Sequence, residues 1–179
     1  MTSTLLPVSD EDHAQGTADT RVTLVEYGDF ECPSCGDAYP VLQEVRRAFG
    51  PNLRFIFRHY PLHDSHPHAA IAAEASEAAG AQGKFWEMHD RLFEHQDALD
   101  ERSLARHARK LGLDVMRFER ELTAKSHASR VERDIESGRA GGVRGTPSLF
   151  INGTIYKGPR DRASLVAALA SAAMKPAAL

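Results

Sequence analysis

Residues 22–59 read as strand, helix, strand, and nothing else in the chain narrows its fold as much. Val22-Thr23-Leu24-Val25-Glu26-Tyr27 is β-branched and apolar, and stops at Gly28-Asp29. From Pro33 the spacing turns helical. Tyr39, Leu42, Val45 and Phe49 share one stripe, and Gly50-Pro51 ends it. Pro40 lies inside that helix and predicts a kink. Leu53-Arg54-Phe55-Ile56-Phe57-Arg58-His59 is the second strand. A crossover of this length makes the two strands parallel and the connection right-handed.

Residues 64–140 carry almost no strand signal. The pattern predicts a helix from Pro67 to Ala79, ended by Gly80, and another carrying Phe85, Trp86, His89, Leu92 and Phe93 on one face. Further helices start at Asp100, running to Gly112, at Asp114, and near residue 127, with the two aspartates as N-caps. Phe85 and Trp86 read as core, His89 as a satisfied half-buried side chain, and His66-Pro67-His68 as a helix start rather than a ligand cluster. Strand signal returns after Gly141-Gly142. Ser148-Leu149-Phe150-Ile151 and Thr154-Ile155-Tyr156-Lys157 flank the hairpin turn Asn152-Gly153, and a last helix opens at Asp161. Residues 1–20 are polar and aperiodic and read as a mobile arm lying along the domain. The expected organisation is an arm (1–20), a core (21–63 and 141–175) and an inserted helical subdomain (64–140), in the α/β class.

The chain is mildly acidic, with a net charge of −3, which gives no reason to expect nucleic acid, since a phosphate-binding protein usually shows a basic face. No run is long and apolar enough to span a bilayer. The start, MTSTLLPVSDEDHAQG, has no Lys or Arg and only Leu5-Leu6-Pro7-Val8 as an apolar stretch, unlike a secretory signal. Cytoplasmic location is the expectation. Two cysteines in 179 residues make no structural disulfide framework, which fits a reducing compartment.

Both cysteines lie in Glu31-Cys32-Pro33-Ser34-Cys35, and three readings compete for them. A structural zinc needs four ligands, and only this one pair is present, with His59, His63, His66 and His68 the nearest histidines in sequence. A staple across two intervening residues closes too small a loop to stabilise much. A redox pair explains position as well as spacing. The pair sits where a strand ends and a helix begins, and free N–H groups there favour a thiolate. Pro33 is tolerated in the first turn. Cys32, at the exposed lip, is expected to have the lowered pKa, with Cys35 one turn later on the same face. Glu26 lies six residues before Cys32 in an otherwise apolar strand, placed either beneath the helix start, where it could manage the proton of Cys35, or at an edge in water. Thr146-Pro147 stands at a strand entry, where a cis proline would expose backbone to a substrate peptide.

The stretches "VEYGDFECPSC", "FRHYPL" followed by "HPHAA", "GKFWEMHDRLF" and "VRGTPSLFING" together resemble the DsbA-like branch of the thioredoxin superfamily, including FrnE-like members, in order over about residues 20–170. The resemblance implies a four-stranded thioredoxin core with a helical domain inserted between its second and third strands. It implies that Cys32 is the nucleophile, Cys35 the resolving thiol, Pro147 a cis-proline, Thr146 the residue facing the sulfurs, and Glu26 the buried acid. The intervening Pro33-Ser34 lacks the histidine of the strongly oxidising periplasmic member, and Thr146 stands where that member carries an apolar residue.

The expected function is thiol–disulfide exchange with protein thiols or disulfides, using a redox partner such as glutathione or the thioredoxin system, with no cofactor and no metal. Two rivals stand beside it. One is a binding module with an idle pair. The other is a glutathione-dependent isomerase or transferase acting on a small substrate, which would not need both cysteines.

Overall fold

The computed structural model describes residues 7–174. The first six residues of the expected arm, with Leu5 and Leu6, and residue 175 of the expected core lie outside the described residues. A five-stranded sheet forms the centre, in the order β1-β3-β2-β4-β5. Its strands are β1 (His13–Gln15), β2 (Val22–Gly28), β3 (Leu53–His59), β4 (Ser148–Ile151) and β5 (Thr154–Ile155). β2 and β3 run parallel, with Val22 opposite Leu53 and Gly28 opposite His59, as a crossover through α1 (Pro33–Phe49) requires. β4 pairs antiparallel to β2, placing Leu149 opposite Glu26. The β4–β5 turn uses Asn152 and Gly153, both at positive φ, which matches the strand twist of a tight hairpin.

Between β3 and β4 come α2 (Ala69–Gly80), α3 (Phe85–Glu94), α4 (Glu101–Lys110), α5 (Val115–Thr123) and α6 (Ala128–Ala140), and α7 (Arg162–Met174) closes the chain. Asp100 and Asp114 cap α4 and α5, accepting from the Ser103 and Arg117 amides. The alanines of α2 are buried nearly throughout, and their small side chains let α3 and α5 pack close to its backbone. Phe85 is core and Trp86 half-buried against it. His89, by contrast, is fully buried rather than half-buried. Its Nδ1 bonds Asp90 at 2.9 Å, while its Nε2 has no partner, so the expected satisfied histidine is only half satisfied.

The sheet separates two cores. Leu24, Phe55, Phe57 and Leu149 face α1, α3 and α7; Val25, Tyr27, Ile56 and Phe150 face the other side. Strand alternation therefore puts Glu26 on the α1 side with Leu24. Residues 8–16 also differ from the expected mobile arm. β1 pairs antiparallel with β3, and Asp12 makes a bidentate ion pair, at 2.8 and 2.9 Å, with the buried Arg58. Arg58 also donates to the Tyr27 hydroxyl and the Pro7 carbonyl. A buried guanidinium needs such a cage, and here the cage is built largely from the N-terminal segment.

Candidate active site

Cys32 is the N-cap residue of α1 and Pro33 its first helical residue. The Cys32 carbonyl starts the helix by accepting from the Cys35 and Gly36 amides at 3.0 and 3.1 Å. Both cysteines are free thiols. Cys35 is completely buried, and Cys32 is only 6% exposed, so the expected exposed lip is a narrow opening. The loop before β4 covers it. Cys32 Sγ lies 3.5 Å from the Thr146 carbonyl, and the Thr146–Pro147 peptide bond is cis. The Thr146 hydroxyl is buried with no hydrogen-bond partner.

The two thiols have opposite acidity. A hydrogen bond from the Cys35 thiol is the main reason the Cys32 pKa falls to about 5; burial opposes it, and the Cys35 and Ser34 amides assist. Cys35 is held far above the ordinary thiol range, first by burial and then by its bond to Cys32 and the charge of Glu26. Glu26 itself is 2% exposed on the central strand, so the edge-carboxylate reading is overturned. Burial pushes its pKa up to about 8, the Arg46 guanidinium opposes this, and its Oε1 has no hydrogen-bond partner. At pH 7 it is a neutral acid in the low-dielectric layer beneath the helix start.

This acidity difference has a direct test. Iodoacetamide at pH 6 should label Cys32 while Cys35 stays unmodified, with the labelling rate half-maximal near pH 5. Equal labelling of both thiols would show that the two are not differentiated.

Five side chains, Asp29, Glu31, His66, His68 and Gln96, anchor the cysteine turn without a signal for that role in the sequence. Asp29, fully buried in side chain, accepts from the Leu62 amide at 2.9 Å and from His66 Nδ1 at 2.7 Å through one oxygen, and from the Glu31 amide at 2.8 Å through the other. That bond to Asp29 raises the His66 pKa. Glu31 accepts from His68 at both backbone and ring nitrogens. His66-Pro67-His68 is thus a clasp on the turn as well as a helix start. Gln96, in the loop after α3, donates to the Phe30 and Cys32 carbonyls at 2.8 and 3.0 Å. Its approach is so close that a Cβ on Gly36 would meet Gln96 Oε1 at 2.1 Å, which explains a glycine in the first turn of a helix. The predicted residues Cys32, Cys35, Thr146, Pro147 and Glu26 converge, while Ser34 lies exposed on the outer rim beside Pro33.

A family model described as thioredoxin matches residues 8–171. The chain belongs to the thioredoxin family. Within it, the likeness is to DsbA-like thiol–disulfide oxidoreductases. A thioredoxin-like oxidoreductase from Silicibacter pomeroyi DSS-3 superposes with a TM-score of 0.83 at 27% identity, covering 94% of this chain and 95% of that one. The thiol-disulfide exchange protein alpha-DsbA2 from Wolbachia pipientis superposes at 0.76 with 21% identity, covering 89% and 86%. In sequence, this thioredoxin-family chain is 44% identical over 177 residues to a Na(+)/H(+) antiporter NhaA 3 from Salinispora tropica, covering 96% of this chain and 27% of that relative. The chain thus spans about a quarter of the length of the curated relatives it matches. Among the described residues, no helix is long and apolar enough to cross a membrane.

Proposed function

We propose that this chain exchanges disulfides with protein thiols, with Cys32 as nucleophile and Cys35 as resolving thiol. The observation that carries the reading is the opposed acidity of two neighbouring buried thiols over a buried acid. In the reducing direction the Cys32 thiolate attacks one sulfur of a substrate disulfide and the other sulfur leaves as thiolate. Once Cys32 is in the mixed disulfide its charge no longer raises the Glu26 pKa; Glu26 gives its proton to solvent, takes the Cys35 proton, and the Cys35 sulfur attacks Cys32. The products are the Cys32–Cys35 disulfide and a second substrate thiol, two electrons having moved to the substrate. The oxidising direction is the reverse. Cis-Pro147 and Thr146 form the backbone edge on which a substrate peptide would lie. In this reading 21–63 and 141–175 are the catalytic core, and 64–140 is the inserted subdomain that clasps the turn. The sparse cysteine usage fits a reducing compartment such as the cytoplasm, where glutathione or a thioredoxin system would close the cycle. No cofactor is needed. Dithiol-dependent reduction of insulin tests the reading, and a protein that binds but never turns over would instead be a binding module.

The poise follows from the same geometry. A lowered Cys32 pKa stabilises the dithiol and makes the disulfide more oxidising. The potential should lie between those of thioredoxin and DsbA, roughly −270 to −120 mV. Ser34→His adds positive charge at the rim and should shift it upward by tens of millivolts, since one helix-end interaction of about 1 kcal/mol corresponds to roughly 20 mV. Equilibration against glutathione, read by alkylation shift, measures both; a downward shift would show that the dipeptide charge does not set the poise.

A further inference from the structure

A second cluster of ligating side chains lies outside the cysteine turn. In the β1–β3 ladder His13 stands opposite Phe57, and His59 follows two residues on, so both imidazoles occupy the same sheet face. Helix α2 covers that face and presents Glu77. His13 Nε2 and His59 Nε2 each lie 2.8 Å from the same oxygen, Glu77 Oε1. An ionised carboxylate oxygen only accepts, so both rings donate to it.

The surroundings hold these groups in place. His13 stacks on Phe85 with 3.4 Å between ring centres, and Phe57 and Phe85 meet His59 edge-on. The His59 and Glu77 side chains are 1% and 8% exposed, while His13, at 21%, forms the rim. A buried carboxylate needs one partner cation or a few hydrogen-bond donors. Here two imidazoles from two strands and a carboxylate from a helix converge, with their ligating atoms all within 4.8 Å of one another. His59 Nδ1 is buried with no hydrogen-bond partner.

We infer that His13, His59 and Glu77 form a binding site for a zinc-class divalent metal ion, separate from the cysteine pair. Two imidazole nitrogens and one carboxylate oxygen are the donor set of three-ligand zinc sites, and the fourth position faces the His13 rim. Metal–ligand bonds of about 2.0–2.2 Å fit between atoms so spaced with small side-chain shifts. On binding, the ion replaces the two N–H···O bonds. Each ring would bind through a bare Nε2, with its N–H on Nδ1. At His59 that tautomer change breaks no existing bond, because Nδ1 has none. The ion would tie β1 to β3 and α2, adding to the hold of Asp12 on Arg58. This site departs from the expectation of no metal, which was argued from the cysteines and their sequence neighbours alone.

The test uses the full chain carrying Cys32→Ser and Cys35→Ser, so that thiols cannot bind the ion and the redox reading plays no part. Equilibrium dialysis against zinc, followed by elemental analysis, should give about one ion per chain. Cobalt should give the visible absorption of a low-coordinate site. His13→Gln, at the rim, should weaken zinc binding by more than about 100-fold while the circular dichroism spectrum is kept. Glu77→Gln should do the same. If that buried change unfolds the chain, His13→Gln decides alone. No zinc uptake by the parent, or uptake unchanged in His13→Gln, overturns the site and leaves the cluster a buried hydrogen-bonded carboxylate.

Discussion

Cys35→Ser is expected to leave Cys32 joined to its substrate by a lasting mixed disulfide and to bring multiple turnover down to background. The attack itself should survive. The principal cause of Cys32 acidity is the hydrogen bond that Cys35 donates to it, and a serine hydroxyl in the same place can donate that bond. What is lost is the second sulfur, without which the mixed disulfide has no internal exit. Cys35→Ala should behave differently, because it removes the donor: the Cys32 pKa should climb from about 5 toward the ordinary thiol range, and adduct formation at pH 6 should slow by at least about tenfold. Mass spectrometry of the two variants after mixing with a disulfide-bonded peptide reads both outcomes. A Cys35→Ser protein that still turns over insulin would remove Cys35 from the mechanism.

Glu26→Gln should give the other large effect, and it has two signs. Burial raises the folded pKa to about 8, against about 4.3 for a free glutamate. The folded state therefore holds a proton that the unfolded chain releases between those values. Stability from this group is full below about pH 4 and falls as pH rises through about 8, by at most about 5 kcal/mol. Glutamine keeps the shape and cannot ionise, so the variant should match the parent near pH 4 and exceed it by several kcal/mol at pH 9. Urea unfolding of both reduced proteins at the two pH values measures the difference. The resolving step should slow by about 100-fold, the lower range for a positioned proton acceptor, and its pH–rate profile should lose the inflection near 8. If stability and rate both track the parent across this range, Glu26 plays no part in proton transfer.

The sequence carried most of the parts that are local. The parallel pair around α1, the caps at Asp100 and Asp114 and the Asn152-Gly153 hairpin each depend on residues a few positions apart, and the cysteine spacing is read the same way. What escaped depends on distance along the chain. β1 is three residues long, too short for an alternating pattern, and is defined by its register on β3. Whether Glu26 was wet or dry turned on β2 lying mid-sheet, which no property of β2 itself reveals. The His66 and His68 clasps cross 37 residues, and the Gln96 bond to the Cys32 carbonyl crosses 64. Thr146 was expected to face the sulfurs; its carbonyl makes the contact, and its hydroxyl remains unpaired in the ground state.

The span between Cys32 and Thr146, 114 residues, bears on how the chain is made. A ribosome delivers the cysteine turn well before the loop that covers it. An isolated helix start of this length is marginal in water, so in a half-made chain neither the buried Cys35 donor nor the Thr146 loop is in position. Cys32 is then a thiol of ordinary acidity, mostly protonated at neutral pH and slow toward passing disulfides. Full reactivity needs both α1 formed, with Cys35 in place, and β4 docked beside β2. A growing chain is thereby less prone to cross-link to its neighbours before the helix start and its covering loop are in place.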